Sequence, residues 1–222
     1  MRPVEKGPAP REYQNYRDAF SDLESRIGPY CSYCERRLET NLAVEHIRPK
    51  SLEPALETSW ENFLLGCVNC NSSKGDTPVA LDAFVWPDRD NTMLRFGYGE
   101  AGIVFALDGG DQARSEALIR LVGLDKDPGN PDRDRRPTPT DLRWRSRFDN
   151  WRRARLCRDR LAANDTSEAR ELAVDVALGW GGFGIWITVF RDDADMIRRL
   201  VEAFAGTARD GFGPGGEFLE RG

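Results

Sequence analysis

Four of the five cysteines form two pairs, Cys31 with Cys34 and Cys67 with Cys70, each separated by two residues. A tight turn between such cysteines presents both sulfurs to one ion, and four thiolates suit a tetrahedral zinc. This closed site has no open position for water, so we expect a structural Zn²⁺. The alternative is two pairs of ordinary buried cysteines. Cys157 has no neighbouring cysteine and is expected to be a plain thiol.

A second group of reactive residue types lies between and just beyond the cysteine pairs. His46 is the single histidine of the chain, which rules out a multi-histidine metal site. A neutral imidazole, with an ordinary pKa near 6.5, can take a proton from an attacking water. Glu45 and the side-chain oxygen of Asn71 are hard ligands that suit Mg²⁺ or Mn²⁺. With Arg48 and Lys74 as candidate phosphate contacts, these groups suit hydrolysis of a phosphodiester.

Two of these residues also have a purely structural interpretation. His46 can bond a backbone carbonyl at the end of a strand, as a lone histidine often does. Asn71 can cap a helix. Capping uses the same side-chain oxygen as a metal ligand, so the two roles of Asn71 exclude each other.

The hydrophobic pattern predicts the elements that position these residues. Apolar residues recur at alternate positions, Leu42 and Val44, and predict a strand that ends at Glu45 and His46. Residues 63–65 predict a second strand, and Asn71 is expected to open a short helical turn just past Cys70. The sequence therefore predicts a strand, loop, strand and helix that zinc holds together.

At these residues the segment resembles the ββα-metal motif of HNH endonucleases. The motif positions are Glu45, His46, Asn62 and Asn71, followed by Lys74, and the resemblance covers about residues 30–76. It implies that His46 is the general base, that Glu45 and Asn71 hold the catalytic metal, and that Asn62 braces the loop that carries the histidine. Glutamate before the histidine and asparagine at the last position depart from commoner members and leave the metal open.

Within that family, the stretches CSYCE, EHIRPKS and CNSSKG are most similar to HNH subunits of bacterial anti-phage systems of the Septu kind. In those systems the nuclease is encoded beside an ABC- or SMC-like ATPase. The resemblance implies a DNA substrate, a role in antiviral defence and an ATPase partner. The glycine-rich stretches of this chain lack the GK[ST] of a phosphate-binding loop, so any ATP dependence must come from another chain.

The rest of the chain predicts an α+β fold. It consists of a zinc-clamped ββα-metal (HNH) module, a short β-hairpin and a mostly helical C-terminal part. We divide it into an HNH nuclease module over residues 1–110 and a helical accessory region over residues 111–222. Further expectations are a mobile arm (1–12), a helix (13–27), hairpin strands (93–96 and 103–106), a loop (125–141), helices (about 112–124, 141–163, 166–179 and 192–204) and a buried apolar run (176–190).

Residues 133–160 contain eleven arginines, interleaved with Trp144, Phe148 and Trp151. One interpretation is a solvated helix with ion pairs to Asp141, Asp149 and Asp159, whose aromatic residues belong to the core. The other is a surface that contacts phosphates or a partner protein. The sequence leaves both interpretations open.

Composition limits the remaining possibilities. The chain has 222 residues and a formal net charge of −5, which argues against binding of nucleic acid by bulk charge alone. It has neither a signal-peptide pattern nor an apolar run of about 20 residues, so we expect a cytoplasmic protein with no membrane contact. The main competing function is a non-enzymatic zinc-knuckle module that binds nucleic acid or protein; a structural adaptor is a third possibility. Neither explains why Glu45, His46 and Asn71 occur together.

Overall fold

The computed structural model describes residues 1–221. The strands are β1 (Leu42–His46), β2 (Phe63–Cys67), β3 (Phe96–Tyr98) and β4 (Val104–Ala106). The α-helices are α1 (Phe20–Ile27), α2 (Val68–Lys74), α3 (Gln112–Leu121), α4 (Arg143–Ala163), α5 (Ser167–Trp180), α6 (Phe183–Val189) and α7 (Ala194–Ala203). The predicted α+β class, with small hairpins and a helical C-terminal part, is confirmed.

Strands β1 and β2 form the predicted antiparallel pair. Leu42 lies opposite Cys67 and His46 lies opposite Phe63. Helix α2 follows β2 directly and packs against both strands. The second cysteine pair thus lies where β2 gives way to α2, and His46 lies at the far end of the hairpin.

Helix α2 begins earlier than the sequence predicts. The expected start was Asn71, but the first helical residue is Val68. Cys67 is the N-cap, and its sulfur accepts a hydrogen bond from the backbone N–H of Cys70. The helix ends at Gly75, whose φ of 52° is a left-handed conformation that favours glycine.

The second hairpin pairs Phe96 with Ala106, so the predicted hairpin exists, but its first strand begins later than expected. Residues 92–94 form a 3₁₀ turn because the side chain of Asn91 accepts a hydrogen bond from the N–H of Met93. The prediction of a strand over residues 93–96 is therefore wrong for all but its last residue. A side-chain cap of this kind competes with strand pairing.

The N-terminal segment is not the mobile arm that its prolines suggested. Residues 1–4 are buried, and Val4 pairs with Thr207 in an isolated antiparallel bridge. Lys6 donates hydrogen bonds to the carbonyls of Trp60 and Phe63 at 3.0 and 2.6 Å. Within this segment, Glu5 and residues 8–12 are exposed. The prediction failed because these contacts are made with residues far away in the sequence.

The helix expected over residues 13–27 also starts late. Asn15 caps a 3₁₀ turn over Tyr16–Ala19, and the α-helix runs from Phe20 to Ile27, with Gly28 as its C-cap. The helix predicted over residues 112–124 corresponds to α3, and the three later predicted helices to α4, α5 and α7.

The buried side chains form two clusters. The first joins the N-terminal residues, α1, β1, β2, the cysteines and α3, and includes Ile185 from α6. The second joins α4 to α7 and includes Tyr30 and Met93 from the first half of the chain. The division at residue 110 stays a prediction, because each cluster takes side chains from both sides of it.

The apolar run over residues 176–190 contains a helix that the sequence analysis missed. Its second part is α6, whose residues are almost all buried, whereas Trp180 is 52% exposed. Gly181 and Gly182 separate α5 from α6 with positive φ values of 73° and 74°. A Cβ on Gly181 would lie 2.2 Å from the backbone oxygen of Glu35, so this close approach requires glycine. Within residues 1–221, no helix is both long and apolar enough to cross a membrane.

Candidate metal centre and active site

The four paired cysteines meet in one buried cluster. Their sulfurs all lie within 4.8 Å of one another, and those of Cys34 and Cys67 are 3.7 Å apart. A tetrahedral zinc with bonds of about 2.3 Å requires sulfurs about 3.8 Å apart. All four cysteines are free of disulfides. The cluster therefore fits one zinc ion with a closed coordination shell.

Backbone N–H groups point at the sulfurs of this cluster. The sulfur of Cys31 accepts from the N–H of Cys34 and of Cys67, at 3.5 and 3.4 Å. Glu35 follows the first pair with a φ of 59°, a left-handed conformation that turns the chain away from the cluster. These donors favour the thiolate form that binds zinc.

Three arginines surround the cysteine cluster. Arg143 donates to the sulfur of Cys70 at 3.3 Å, and Arg36 lies 3.7 Å from the sulfur of Cys67. Arg147 is buried beside them; burial lowers its pKa to about 10, while the sulfurs of Cys34 and Cys70 act to raise it. Zinc bound by four thiolates carries excess negative charge, so these guanidinium groups balance it.

Arg143 and Arg147 belong to the arginine-rich segment of residues 133–160. Neither a solvated helix nor a surface that contacts phosphates or a partner predicts that these two arginines are buried. Arg143 forms a buried ion pair with Asp141 at 2.7 Å. Arg147 donates to the backbone oxygens of Gly102 and Leu124 at 2.7 and 3.0 Å. These two arginines of α4 therefore belong to the interior, beside the cysteine cluster.

His46 is held in one tautomer by a backbone carbonyl. Its Nε2 lies 2.9 Å from the oxygen of Glu57, which can only accept, so Nε2 carries the proton. In the neutral ring Nδ1 is then unprotonated. Burial lowers the pKa of His46 below its ordinary value of 6.5, which keeps the imidazole neutral at pH 7. The carbonyl contact expected of a structural histidine is thus also the contact that prepares a base.

Two aromatic rings fix the plane of the imidazole. Phe63 packs edge to face against His46 with ring centroids 5.2 Å apart, and Tyr16 packs similarly at 4.9 Å. Lys50 lies over the ring of Tyr16, with its Nζ 4.2 Å from the centroid. Sequence analysis did not single out Tyr16 or Glu57. Tyr16 fits the pattern of the helix predicted over residues 13–27. The acceptor on Glu57 is a backbone carbonyl, which every residue has, so the sequence does not indicate it.

Asn62 clamps the loop that follows His46. Its Oδ1 accepts from the N–H of Arg48 at 2.8 Å, and its Nδ2 donates to the oxygen of Arg48 at 2.9 Å. The backbone oxygen of Asn62 also accepts from the N–H of Ile47 at 2.9 Å. This is the kind of bracing that the resemblance to the ββα-metal motif implied for Asn62.

The side chain of Lys74 is buried, so its ammonium group does not lie on the surface of the protein. Its Nζ is 3.0 Å from Oε1 of Glu45, and both side chains are 2% exposed. It also donates to the backbone oxygen of His46 at 2.7 Å. The contact between Lys74 and a substrate phosphate stays a prediction, and it would require the buried pair with Glu45 to open. Arg48 is half-buried and pairs with Glu53 at 3.2 Å, so it stays a candidate phosphate contact.

Asn71 lies inside α2, half-buried, and is not the helix cap, since Cys67 has that role. Within residues 1–221 its side chain makes no hydrogen bond. Glu45 and Asn71 lie on β1 and α2, which pack against each other. One carboxylate, one amide and several waters are ligands that suit Mg²⁺. Burial raises the pKa of Glu45, and the ammonium group of Lys74 acts to lower it.

The comparison with protein families agrees with this geometry. Residues 31–77 match the HNH endonuclease family. The matched HNH segment contains both cysteine pairs, the ββα unit, Glu45, His46, Asn62 and Asn71. Tyr16 and the arginines of α4 lie outside it. A comparison with curated proteins gave no match. The HNH segment supports a nuclease of this family.

Proposed function

We propose that this chain is a metal-dependent HNH endonuclease that hydrolyses phosphodiester bonds in DNA, with His46 as the general base. One observation carries the proposal. Within the HNH segment, Nε2 of His46 is fixed on the carbonyl of Glu57, which leaves Nδ1 free to accept a proton. The two flanking rings and the Asn62 clamp hold this orientation without the help of substrate.

In the proposed reaction, Nδ1 of His46 takes a proton from the water that attacks phosphorus. A new bond forms between the water oxygen and phosphorus, the bond to the leaving oxygen breaks, and that oxygen takes a proton from solvent. Arg48 contacts a phosphate oxygen. Glu45 and Asn71 would hold Mg²⁺ or Mn²⁺, which supplies neutralisation of charge on the phosphate and the leaving oxygen.

The finer biological role is also part of the proposal. The similarity of CSYCE, EHIRPKS and CNSSKG to Septu-type subunits supports a cytoplasmic nuclease of an anti-phage defence system, with an ABC- or SMC-like ATPase as partner. The net charge of −5 gives no long-range attraction to a polyanion. We therefore expect the lone chain to be a weak nuclease whose activity the partner controls.

The test is plasmid nicking by the full chain with Mg²⁺ or Mn²⁺. We expect His46→Ala to lower the rate by about 10²–10⁴-fold, because that is what base catalysis typically contributes. Zinc content and far-UV circular dichroism should stay those of the wild type. Asp192→Ala, at an exposed position far along the chain, is the matched control. Cleavage by His46→Ala at the wild-type rate would contradict the proposal.

One observation favours the second candidate, a zinc-knuckle module that binds nucleic acid or protein without cutting. Glu45 is already neutralised by Lys74 in a buried pair. If this pair never opens, Glu45 holds no ion and the chain binds without cleaving. The second candidate therefore predicts no cleavage by the wild type with either metal.

A further inference from the structure

The outer face of α4 concentrates positive charge on an acidic chain. The helix contains eight arginines and two aspartates, and only Arg143 and Arg147 are buried. Six arginines lie outside the core against Asp149 and Asp159, while the whole chain has a net charge of −5. We call this set the α4 arginine face; it consists of Arg145, Arg152, Arg153, Arg155, Arg158 and Arg160.

Ion pairs do not neutralise the α4 arginine face. Arg155 lies 3.5 Å from Glu100 and Arg158 lies 3.3 Å from Asp159, both as exposed pairs of little strength. The other four have no carboxylate within 4.0 Å among residues 1–221. Asp141, expected to pair with this surface, instead binds the buried Arg143. The interpretation of a solvated helix with locally paired charges therefore fails for most of these arginines.

Aromatic surface lies beside these charges. An open groove of about 830 Å³ is lined by Phe148, Trp151 and three arginines, Arg152, Arg153 and Arg155, together with the carboxylates of Glu100, Asp149 and Asp159. At its side the guanidinium carbon of Arg153 lies 3.5 Å from the ring centroid of Trp180, which is half exposed. Unpaired guanidinium groups beside accessible rings are the two features by which proteins hold single-stranded nucleic acid.

The geometry of the helix places several of these groups on one side. Arg145, Arg152 and Arg155 are seven and three residues apart, which puts them on one face over about 15 Å. Phe148 lies on the same face. We propose that the α4 arginine face binds a single strand of nucleic acid, with phosphates on Arg145, Arg152 and Arg155 and bases against Phe148 and Trp180. This proposal rests on the proposed function in taking nucleic acid as the substrate.

Charge complementarity favours a polyanion as the ligand of the α4 arginine face. Guanidinium groups bind phosphates in a fork geometry. Arg145 and Arg152 can do so without first breaking an ion pair, whereas Arg155 has to give up its exposed 3.5 Å contact with Glu100. Rings that stack on bases add affinity that does not depend on sequence. The site lies outside the HNH segment and adds contacts that the overall charge does not supply.

The test is fluorescence anisotropy of a labelled single strand of about 16 nucleotides with the full chain carrying His46→Ala, which prevents cleavage. Titrations are run at salt concentrations from about 50 to 200 mM. The variant is Arg152→Gln with Arg155→Gln. The matched control is Arg191→Gln with Arg209→Gln, which removes the same charge from exposed positions elsewhere. Zinc content and circular dichroism verify that each variant is folded.

We expect the α4 variant to weaken binding several-fold and to reduce the salt slope by about 1.4, since each lost phosphate contact accounts for about 0.7. The control should keep the wild-type slope. Trp180→Ala should weaken binding of the single strand by about fivefold or more and affect a duplex less. Equal losses in the α4 variant and the control would show a bulk charge effect and overturn the proposal. So would the absence of binding by the parent chain.

A parallel titration with poly-glutamate tests an acidic protein as the occupant. Binding of poly-glutamate that depends on Arg152 and Arg155, with no such dependence for DNA, would overturn the proposal.

The result for the α4 site can be distinguished from the result for the nuclease proposal. Cleavage by the wild type with unchanged binding in the α4 variant refutes only the α4 site. Binding through α4 by a chain that never cleaves refutes only the nuclease.

Discussion

Glu45 and Lys74 form an ion pair that is almost completely removed from water. Removing one partner of such a pair leaves an uncompensated charge inside the protein, which typically costs about 3–5 kcal/mol. We expect Lys74→Met to lower the free energy of unfolding by this amount, because the carboxylate of Glu45 then has no counter-charge. Denaturant unfolding of the zinc-loaded chain measures the change.

The control for this prediction is the double variant Glu45→Gln with Lys74→Met, which removes both charges. It should be more stable than Lys74→Met alone, because no buried charge is left unpaired. A loss below about 1 kcal/mol in Lys74→Met would show that Glu45 takes another partner or a proton at little cost.

At the residue scale, residue type and short spacing in the sequence are enough to name candidate metal ligands and candidate catalytic side chains. The cysteine pairs, His46 and Asn62 lie within a local motif, so the sequence alone places them as candidates for the site. Lys74 is a candidate phosphate contact by residue type, and nothing in the neighbouring sequence indicates that it is buried. Its partner Glu45 lies on another element, and only the packing of α2 on β1 reveals the pair.

At the element scale, the first turn of α4 closes over the cysteine cluster and brings Arg147 beside it. We expect Arg147→Met to weaken zinc binding by about 10–100-fold, the usual effect of losing a group that supports metal ligands. Methionine keeps much of the packing volume but removes the charge. Competition with a chromogenic chelator measures the affinity. Arg145→Met, exposed on the same helix, is the control, and equal zinc affinities of the two variants would contradict this role.

Arg170 connects α5 with the start of α7. It lies 2.6 Å from Asp165 and 2.9 Å from Asp193, the N-cap of α7. Its hydrogen bond lowers the pKa of Asp165, and bonds from Arg199 and Arg198 lower that of Asp195. Since these carboxylates have lower pKa values in the folded state, their stabilisation is complete above the ordinary value near 3.8 and is lost as pH falls through the folded value.

We therefore expect Arg170→Gln to lower Tm by roughly 2–4 °C at pH 7. The difference from the wild type should persist at pH 5 and shrink as pH falls below about 4, where the aspartates become protonated. Thermal melts of both proteins across this range measure it. A Tm difference that stays constant in acid would mean that Arg170 acts through packing alone.

Element types were largely predictable, and the errors have physical causes. The alternation in β1 and the helical periodicity of α4, α5 and α7 are local signals that packing did not override. The strand predicted at Met93 was lost to the Asn91 side chain. Helix α6 was missed because it is apolar on all sides, a pattern that a buried helix shares with a buried strand.

At the scale of the whole molecule, the cysteine cluster connects the two clusters of buried side chains. It belongs to the first buried cluster, while Arg143 and Arg147 join it to α4. We expect removal of zinc to unfold the ββα unit and to lower the stability of the helical part too, because the arginines then lose the charge that balances them. Circular dichroism and tryptophan fluorescence before and after chelation measure both effects, and added zinc should reverse them. Unfolding of the helices at an unchanged temperature would contradict this coupling.

The pairing of the first residues with the last ones has a consequence for how the chain assembles during synthesis. Arg2 contacts Thr207, 205 residues further along, and Val4 bridges the same residue. A ribosome that adds about 5–20 residues per second needs about 10–40 s to produce this partner. Until then, the buried N-terminal segment lacks its contacts with residues 205–208. The ββα unit is synthesised much earlier, so its cysteines can bind zinc before Arg2 and Val4 contact Thr207.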